Sequence, residues 1–383
     1  MKLAIISNVN GYQWAGSETV WHRAAIRALS MGHDVTAIIH RDLMPSGQIR
    51  EFQTAGGSVL NWGALRIARF QNLKERFFPS FAPKKLDRFD LILVSLGSLP
   101  ALTYVPGLVD GLLKTRTPIV LLCQFNSDHL IISTREREVV AQVIKKAAST
   151  VFCSQRNMIE ARRQFAIQSN HSSVIPNPIR NKGEEACPWP EDTEGVIFAT
   201  VARLEVAWKG QDLLLDVLSQ EQWKGRNWEL RIYGVGPDRE YLEKLADFYH
   251  LSERVSFKGH CENIRDIWSH SHILLLPSHG EGTPLAALEA MMAARAVVAT
   301  DVGGNSEVIR DGINGFIAEG ATLTSFSKAM ERAWEAKSTW QEMGTTARRL
   351  MNEMAGSDSS EELLRLCERH TKKDVLIKSG RES

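Results

Sequence analysis

The chain lacks any C-x-x-C pair: Cys123, Cys153, Cys187, Cys261 and Cys367 stand singly among its 383 residues. Such spacing suggests neither a zinc site nor a disulfide framework, and Cys123 and Cys153, at the ends of apolar runs, read as small buried hydrophobes. No apolar run approaches the roughly 18 residues of a membrane span, and the apolar stretch within residues 1–8 is too short for a signal peptide, so a cytoplasmic protein is expected. Charge of one sign is also missing, since 46 Lys and Arg balance 45 Asp and Glu, which removes global steering towards nucleic acid. What is present, 43% hydrophobic and 24% charged residues, excludes a disordered chain, a fibre and a disulfide scaffold. At roughly 100 to 200 residues per domain, the length argues for two domains.

The first half alternates short apolar runs, at 3–7, 35–39, 91–95, 119–123 and 150–152, with helix candidates such as 19–31, closed by Gly32, and 135–148. The runs are nearly continuous in Ile, Val and Leu, the pattern of strands buried on both faces of a parallel sheet. A polar stretch at 180–194, with two prolines, reads as an interdomain linker. The alternation then resumes with runs at 196–201, 229–233, 255–257, 273–276 and 296–299. The expectation is α/β: two Rossmann-like doubly wound parallel-sheet domains, 1–178 and 179–358, facing across a cleft that is the default ligand site. The segment 359–383 holds a helix candidate at 361–369 and a Lys/Arg-rich tail, with no docking place evident.

Motifs are expected just after strands. The run Glu281-Gly282-Thr283-Pro284-Leu285-Ala286-Ala287-Leu288-Glu289 follows the strand candidate 273–276. Thr283 suits an N-cap and Pro284 the first helical position, so the amides of Leu285 to Ala287 form an anion site for a diphosphate. Glu281 before that helix and Glu289 two turns into it can accept hydrogen bonds from sugar hydroxyls. Glu289 has Leu288, Ala290, Met291 and Met292 as neighbours, so a charge there wants a partner. Arg203 and Lys209, on the loop after 196–201, offer a fork and a point charge to a diphosphate, against the plainer reading of two solvated cations. The turn Gly234-Val235-Gly236-Pro237 lacks the third glycine of a dinucleotide fingerprint and reads as a tight turn into a helix begun by Pro237. Gly16, in the loop after the first strand, either admits close approach of a ligand or is only a turn residue.

Together these elements resemble the retaining nucleotide-sugar glycosyltransferases of the GT-B fold, family 4. The resemblance is densest over 196–316. It rests on Glu281 and Glu289 in a Glu-x7-Glu signature, the Arg203 and Lys209 pair, the Gly234-x-Gly-Pro turn, Phe257-x-Gly259, and Val302-Gly303-Gly304-x-x-Glu307 with Asp311-Gly312-x-Asn314-Gly315. It implies an acceptor domain at the N-terminus, a donor domain at the C-terminus, and transfer of a sugar from a nucleotide-diphosphate donor to a hydroxyl of a glycan, lipid-linked saccharide or small molecule. Glu281 would then hold donor-sugar hydroxyls, Glu289 the ribose, Arg203 and Lys209 the diphosphate, and the backbone from Gly282 to Leu285 the sugar and phosphate. The base would lie near Gly259 and His260, and Gly16 would close over the phosphates.

The chain departs from that pattern at Ala15, at Pro178, and at Gln124, which follows the run 119–123 where many relatives carry a histidine. Glutamine cannot act as a general base. No Asp-x-Asp occurs. That absence speaks against metal-bridged handling of the diphosphate, so a metal-free site without cofactor is expected, with front-face displacement inherited from the family. Between 64 and 88, Arg66, Arg69, Lys74, Arg76, Lys84, Lys85 and Arg88 outnumber Glu75 and Asp87 by five and are interleaved with Phe70, Phe77, Phe78 and Phe81. This is either a solvated helix with a packed aromatic side or a peripheral membrane contact at the inner face. Two other functions stay open: a sugar-nucleotide 2-epimerase of similar fold and a non-catalytic nucleotide-sugar binding protein.

Overall fold

Runs of Ile, Val and Leu cover both faces of a pleated strand, and burying both requires helices above and below a parallel sheet. The computed structural model describes residues 1–11, 14, 16–62, 81, 83–168, 171–179, 184–190, 195–354, 356 and 358–371. They fall into two units, Met1–Pro178 joined by the segment from Ser357 onward, and Ile179–Gly356. The expected surface at 64–88 lies outside the described residues apart from Phe81, which is buried, and residues 83–88.

In the first unit the strands are β1 (Lys2–Ser7), β2 (Asp34–Ile39), β3 (Ser58–Asn61), β4 (Leu91–Leu96), β5 (Ile119–Cys123), β6 (Ser149–Phe152) and β7 (Ser172–Val174), all parallel, in the order β3-β2-β1-β4-β5-β6-β7. Ala4 and Ile6 point into one core and Leu3 and Ile5 into the other, as alternation across a doubly covered strand requires. The helix Ser359–Arg369 belongs to this unit. Its Leu363, Leu364, Leu366 and Cys367 enter the core formed by Trp21, Ala25 and Ala28 of the helix Thr19–Ser30. Arg27 pairs with Glu361 at 3.0 Å and His33 with Glu368 at 3.1 Å. The helix is amphipathic, so its charged residues face outward while its leucines need a partner surface. Burial pushes the Cys367 thiol up to about 12, and that of Cys123 likewise, so neither is a ready thiolate at neutral pH.

Strand order reverses between β1 and β4, and there a carboxylate is fully enclosed. Glu18, 1% exposed, accepts from Trp21 Nε1 at 2.8 Å and from Ser95 Oγ at 3.5 Å. Burial, opposed by these hydroxyl and indole donors, pushes its carboxyl up to about 7. The native state therefore binds a proton that the unfolded chain has released above about pH 4.5, and stability falls as pH rises from that value through 7. A shift of that size corresponds to about 3 kcal/mol. Glu18→Gln is expected to leave the melting temperature nearly unchanged at pH 5 and to raise it at pH 8, in paired thermal scans; equal effects at both pH values would contradict this.

The second unit holds β8 (Val196–Val201), β9 (Trp228–Tyr233), β10 (Val255–Gly259), β11 (Ile273–Leu276), β12 (Ala296–Thr300) and β13 (Gly315–Ala318), all parallel, in the order β10-β9-β8-β11-β12-β13. Strand order reverses between β8 and β11, the place where open parallel sheets bind ligands beyond their carboxyl ends. The stretch read as a linker is in part integral to this unit. Cys187 is buried in its core, and the guanidinium of Arg295, 1% exposed, donates to the carbonyls of Cys187 at 3.4 Å, Ser271 at 2.8 Å, Trp268 at 2.6 Å and Pro188. Trp189 lies under the same guanidinium, 5.1 Å from ring centroid to Cζ. A buried cation without a carboxylate needs such a ring of carbonyls, and that requirement fastens 187–189 to the unit. Burial lowers the Arg295 pKa to about 10, which still leaves it charged at neutral pH.

Candidate functional site

The site grows from two loops that leave neighbouring strands. The chain leaving β8 runs from Ala202 through a short helix, Val206–Lys209, and turns at Gly210. Gly210 has φ +61°, and a Cβ there would lie 2.2 Å from the Pro277 carbonyl oxygen, so the turn sits directly on the chain leaving β11. The Trp208 carbonyl accepts from His279 N at 2.9 Å and reinforces the contact. From the other side the loop is held by the Gly234–Pro237 turn: Leu204 N donates to Val235 O at 3.1 Å, and Val206 N to Asp238 Oδ2 at 2.8 Å. That turn braces the Arg203 loop. Its helix begins at Arg239, two residues later than expected, because Asp238 is engaged in the brace.

This docking brings Lys209 to Glu281. Lys209 Nζ lies 2.8 Å from Glu281 Oε1, and Ser278 Oγ donates to the same oxygen at 2.7 Å. Glu281 is 7% exposed and Ser278 fully buried. Ser278 is fixed in turn, since its carbonyl accepts from Thr300 Oγ1 at 2.6 Å. Arg203 is exposed and its guanidinium pairs with Glu205 at 2.9 Å. Both cations expected to meet a diphosphate are thus joined to carboxylates, Lys209 in a largely buried pair and Arg203 in a solvent-exposed one.

The backbone beside Glu281 is set by a third loop, the one leaving β12. Gly303, at φ +52°, approaches so closely that a Cβ would lie 2.0 Å from the Glu281 carbonyl oxygen, and Gly304 N donates to Gly282 O at 2.6 Å. This contact corrects the expected helix start. Thr283 is not the N-cap: Pro284 takes that position with extended ψ 105°, and the helix is Leu285–Met292. Held by Gly304, the chain remains extended one residue further. Ala287 and Leu288 amides both bond to the Pro284 carbonyl at 3.1 Å, so the open donors of the first turn are Leu285 and Ala286, not Ala287. Gly282, Thr283 and Pro284 are buried, and Leu285 and Ala286 half-buried.

Glu289 is 8% exposed on that helix and lines a shallow recess together with Trp268, Cys187, Arg265 and Met292. Burial removes the reading of an exposed helix residue. Gly259 and His260 lie at the end of β10, the edge strand. Gly259 is linked to the brace, its carbonyl accepting from Gly234 N at 2.8 Å, whereas His260 is exposed and makes no hydrogen bond to the Lys209–Glu281 group. Gly16 opens a short turn, Gly16–Glu18, in the first unit and is half-buried. Gln124, also in that unit, is buried. Sequence reasoning missed Ser278, Thr300 and Asp238; each side chain orients a loop through a single hydrogen bond, and a lone hydroxyl or carboxylate in a loop or at a strand end carries no signal of that.

The same stretch that builds the Lys209–Glu281 group, residues 182–350, matches the family model of glycosyl transferases group 1. An uncharacterized glycosyltransferase of Haemophilus influenzae is 29% identical over 196 residues, 51% of this chain and 54% of that protein. The alpha-D-kanosaminyltransferase of Streptomyces kanamyceticus is 30% identical over 205 residues, 49% of this chain and 52% of that one. The chain thus spans about half the length of these curated relatives. Anabaena HepE, solved with UDP and with UDP-glucose, superposes with a TM-score of 0.71 at 18% identity, over 96% of this chain and 99% of HepE in the UDP complex. The fold is GT-B: two Rossmann-like, doubly wound sheets, which among the described residues are all parallel and have seven and six strands. Among the described residues no helix is long and apolar enough to cross a membrane.

Proposed function

We propose that the protein is a retaining glycosyltransferase of the GT-B type that moves a hexosyl group from a nucleotide-diphosphate sugar to a hydroxyl acceptor without a metal ion. The observation that carries this reading is the Lys209–Glu281–Ser278 group beside the open amides of Leu285 and Ala286, at the point where strand order reverses. Amides at a helix start and ammonium and guanidinium groups are suited to a pyrophosphate, and a fixed carboxylate is suited to sugar hydroxyls. UDP-glucose bound to HepE supports a donor of this class.

In this reading the diphosphate rests on the Leu285 and Ala286 amides with Arg203 and Lys209 over it, and Glu281 accepts hydroxyl protons from the sugar. Glu289 takes the ribose, and the base lies towards Gly259 and His260. The acceptor oxygen attacks the anomeric carbon on the face from which the diphosphate departs. One carbon–oxygen bond forms as another breaks, and the acceptor's proton passes to the leaving phosphate oxygen. Fixed cations and amides stabilise the charge that grows on that leaving group, the role a divalent ion plays elsewhere.

Incubation with UDP-, GDP- and ADP-sugars, with detection of the freed nucleoside diphosphate, tests the reading. One donor is expected to raise the melting temperature and to be turned over. Stabilisation without turnover, with any acceptor, would make the chain a binding protein; interconversion of the sugar without transfer would make it an epimerase. EDTA is expected to leave the rate within about twofold, and reversible loss of activity on chelation would contradict the metal-free mechanism.

A further inference from the structure

Arg203 and Lys209 stand at the two ends of one loop, and a buried side chain ties those ends together. Arg203 follows β8, and Lys209 closes the short helix Val206–Lys209. The Lys209 end is seated by Gly210 on the Pro277 carbonyl. The Arg203 end is flanked by β9 and the turn that follows it: Ala202 N donates to Tyr233 O at 3.1 Å, and Asp238 N to Leu204 O at 3.1 Å. Across the loop, Gln211 Nε2 donates to the Arg203 carbonyl at 2.7 Å, from eight residues further along the chain. Gln211 opens the helix Gln211–Ser219 directly behind Gly210, so this bond joins the backbone of one cation to the residue two places after the other.

Packing does not account for a glutamine here. Gln211 is fully buried and shares a helix face with Leu214, Leu215 and Leu218 in an i, i+3, i+4, i+7 pattern, where a side chain without polar atoms would fill the same space. Half of its amide is used. Nε2 is bonded to Arg203, while Oε1 is buried and has no hydrogen-bond partner among the described residues. A buried amide oxygen without a donor destabilises a fold, so the glutamine is retained for its donor. The Arg203 carbonyl does not need that donor to be satisfied, since Glu205 N also donates to it at 2.9 Å. The Glu205 bond closes a local turn, whereas the Gln211 bond spans the loop.

A tie across the loop controls spacing. One cation can meet a monophosphate, but a diphosphate draws on both, and it is held in full when guanidinium and ammonium stand the right distance apart. The Lys209 ammonium is fixed by Glu281 at 2.8 Å, so a shift of the Arg203 backbone changes that distance directly. We propose that Gln211 is a positioning residue that sets the separation of the Arg203 and Lys209 side chains and, through it, the preference of the site for a diphosphate over a monophosphate. This role rests on the transfer reading above, in which both cations meet the pyrophosphate.

Calorimetric titration of the full chain with UDP and UMP, GDP and GMP, and ADP and AMP tests the role in the wild type, Gln211→Met and Gln211→His. Gln211→Met keeps the volume but cannot donate. For the nucleotide pair that the wild type binds best, it is expected to weaken diphosphate binding about fivefold or more and to leave monophosphate binding within about twofold. Gln211→His carries a ring Nε2–H at the same reach and is expected to bring the diphosphate advantage back to within about threefold of the wild type's. Weakening of both nucleotides alike in Gln211→Met, with or without a fall in melting temperature, marks a merely structural residue and overturns the role. An undiminished diphosphate advantage in Gln211→Met, or a loss there that Gln211→His does not restore, overturns it as well. A diphosphate preference that depends on Gln211, in a chain that turns over none of the UDP-, GDP- or ADP-sugars, leaves the role standing and removes the transfer reading. Equal binding of diphosphate and monophosphate by the wild type removes both.

Discussion

Lys209→Ala is expected to lower kcat/KM for the donor sugar by 10-fold or more, which corresponds to about 1.4 kcal/mol or more of transition-state stabilisation. Two effects combine. In the proposed transfer the variant loses a cation beside the leaving diphosphate, and it leaves Glu281 Oε1 with only the Ser278 hydroxyl of the two donors now bonded to it at 2.7 and 2.8 Å. Breaking a buried pair by removing one partner costs about 3–5 kcal/mol, and the lower end applies here because the Lys209 side chain is 19% exposed. The double variant Lys209→Ala/Glu281→Gln separates the two. Stability is expected to recover, because no charge is left uncompensated, while turnover stays low, because both groups that would hold the donor are altered. Wild-type turnover in Lys209→Ala would remove the donor from this place.

Gly303→Ala is expected to disable the same site from a residue that carries no polar side chain. At φ +52° an L-residue costs about 1–2 kcal/mol, and the added Cβ would meet the Glu281 carbonyl oxygen at 2.0 Å and its carbon at 2.6 Å. Both are backbone atoms and cannot swing aside as a side-chain tip would, so the Glu281–Gly282 segment must move and carry the Glu281 carboxylate with it. The expected outcome is a melting temperature lower by about 5 °C or more and a donor affinity weakened at least 10-fold, with the far-ultraviolet circular dichroism of the wild type. Unchanged donor affinity would show that the loop leaving β12 does not set the position of Glu281.

Most strands could be read from the amino-acid order because burial on both faces writes a continuous apolar run. The runs at 119–123, 196–201 and 273–276 coincide with β5, β8 and β11. Two of the three strands not anticipated are marked weakly by burial, since β3 and β7 have no fully buried residue. β13 is largely buried, but it begins with a glycine and is four residues long, which leaves too short an apolar run to read. The C-terminal helix was recognisable as a helix, but its partner, the helix Thr19–Ser30, is more than 300 residues away along the chain, and local pattern carries no such distance. At the site, Glu281, Lys209 and Arg203 could be named from residue type and from their place after strands. Their pairing could not, because it depends on how Gly210 and Gly303 seat three loops on one another. The helix start was misplaced for the same reason: Thr-Pro is a good local opening, and the bond from Gly304 to Gly282 overrides it.

Whether a pyrophosphate is held by the opening turn at Leu285 and Ala286 together with Arg203 and Lys209 is decided by comparing nucleotides that differ only in phosphate number. Calorimetric titration of the wild type with UDP and UMP, and with the ADP and GDP pairs, is expected to show one diphosphate binding at least 10-fold more tightly than its monophosphate. That advantage is expected to shrink to less than about threefold in Arg203→Ala/Lys209→Ala. A diphosphate advantage of full size in the double variant, or equal binding of the two nucleotides by the wild type, would contradict it.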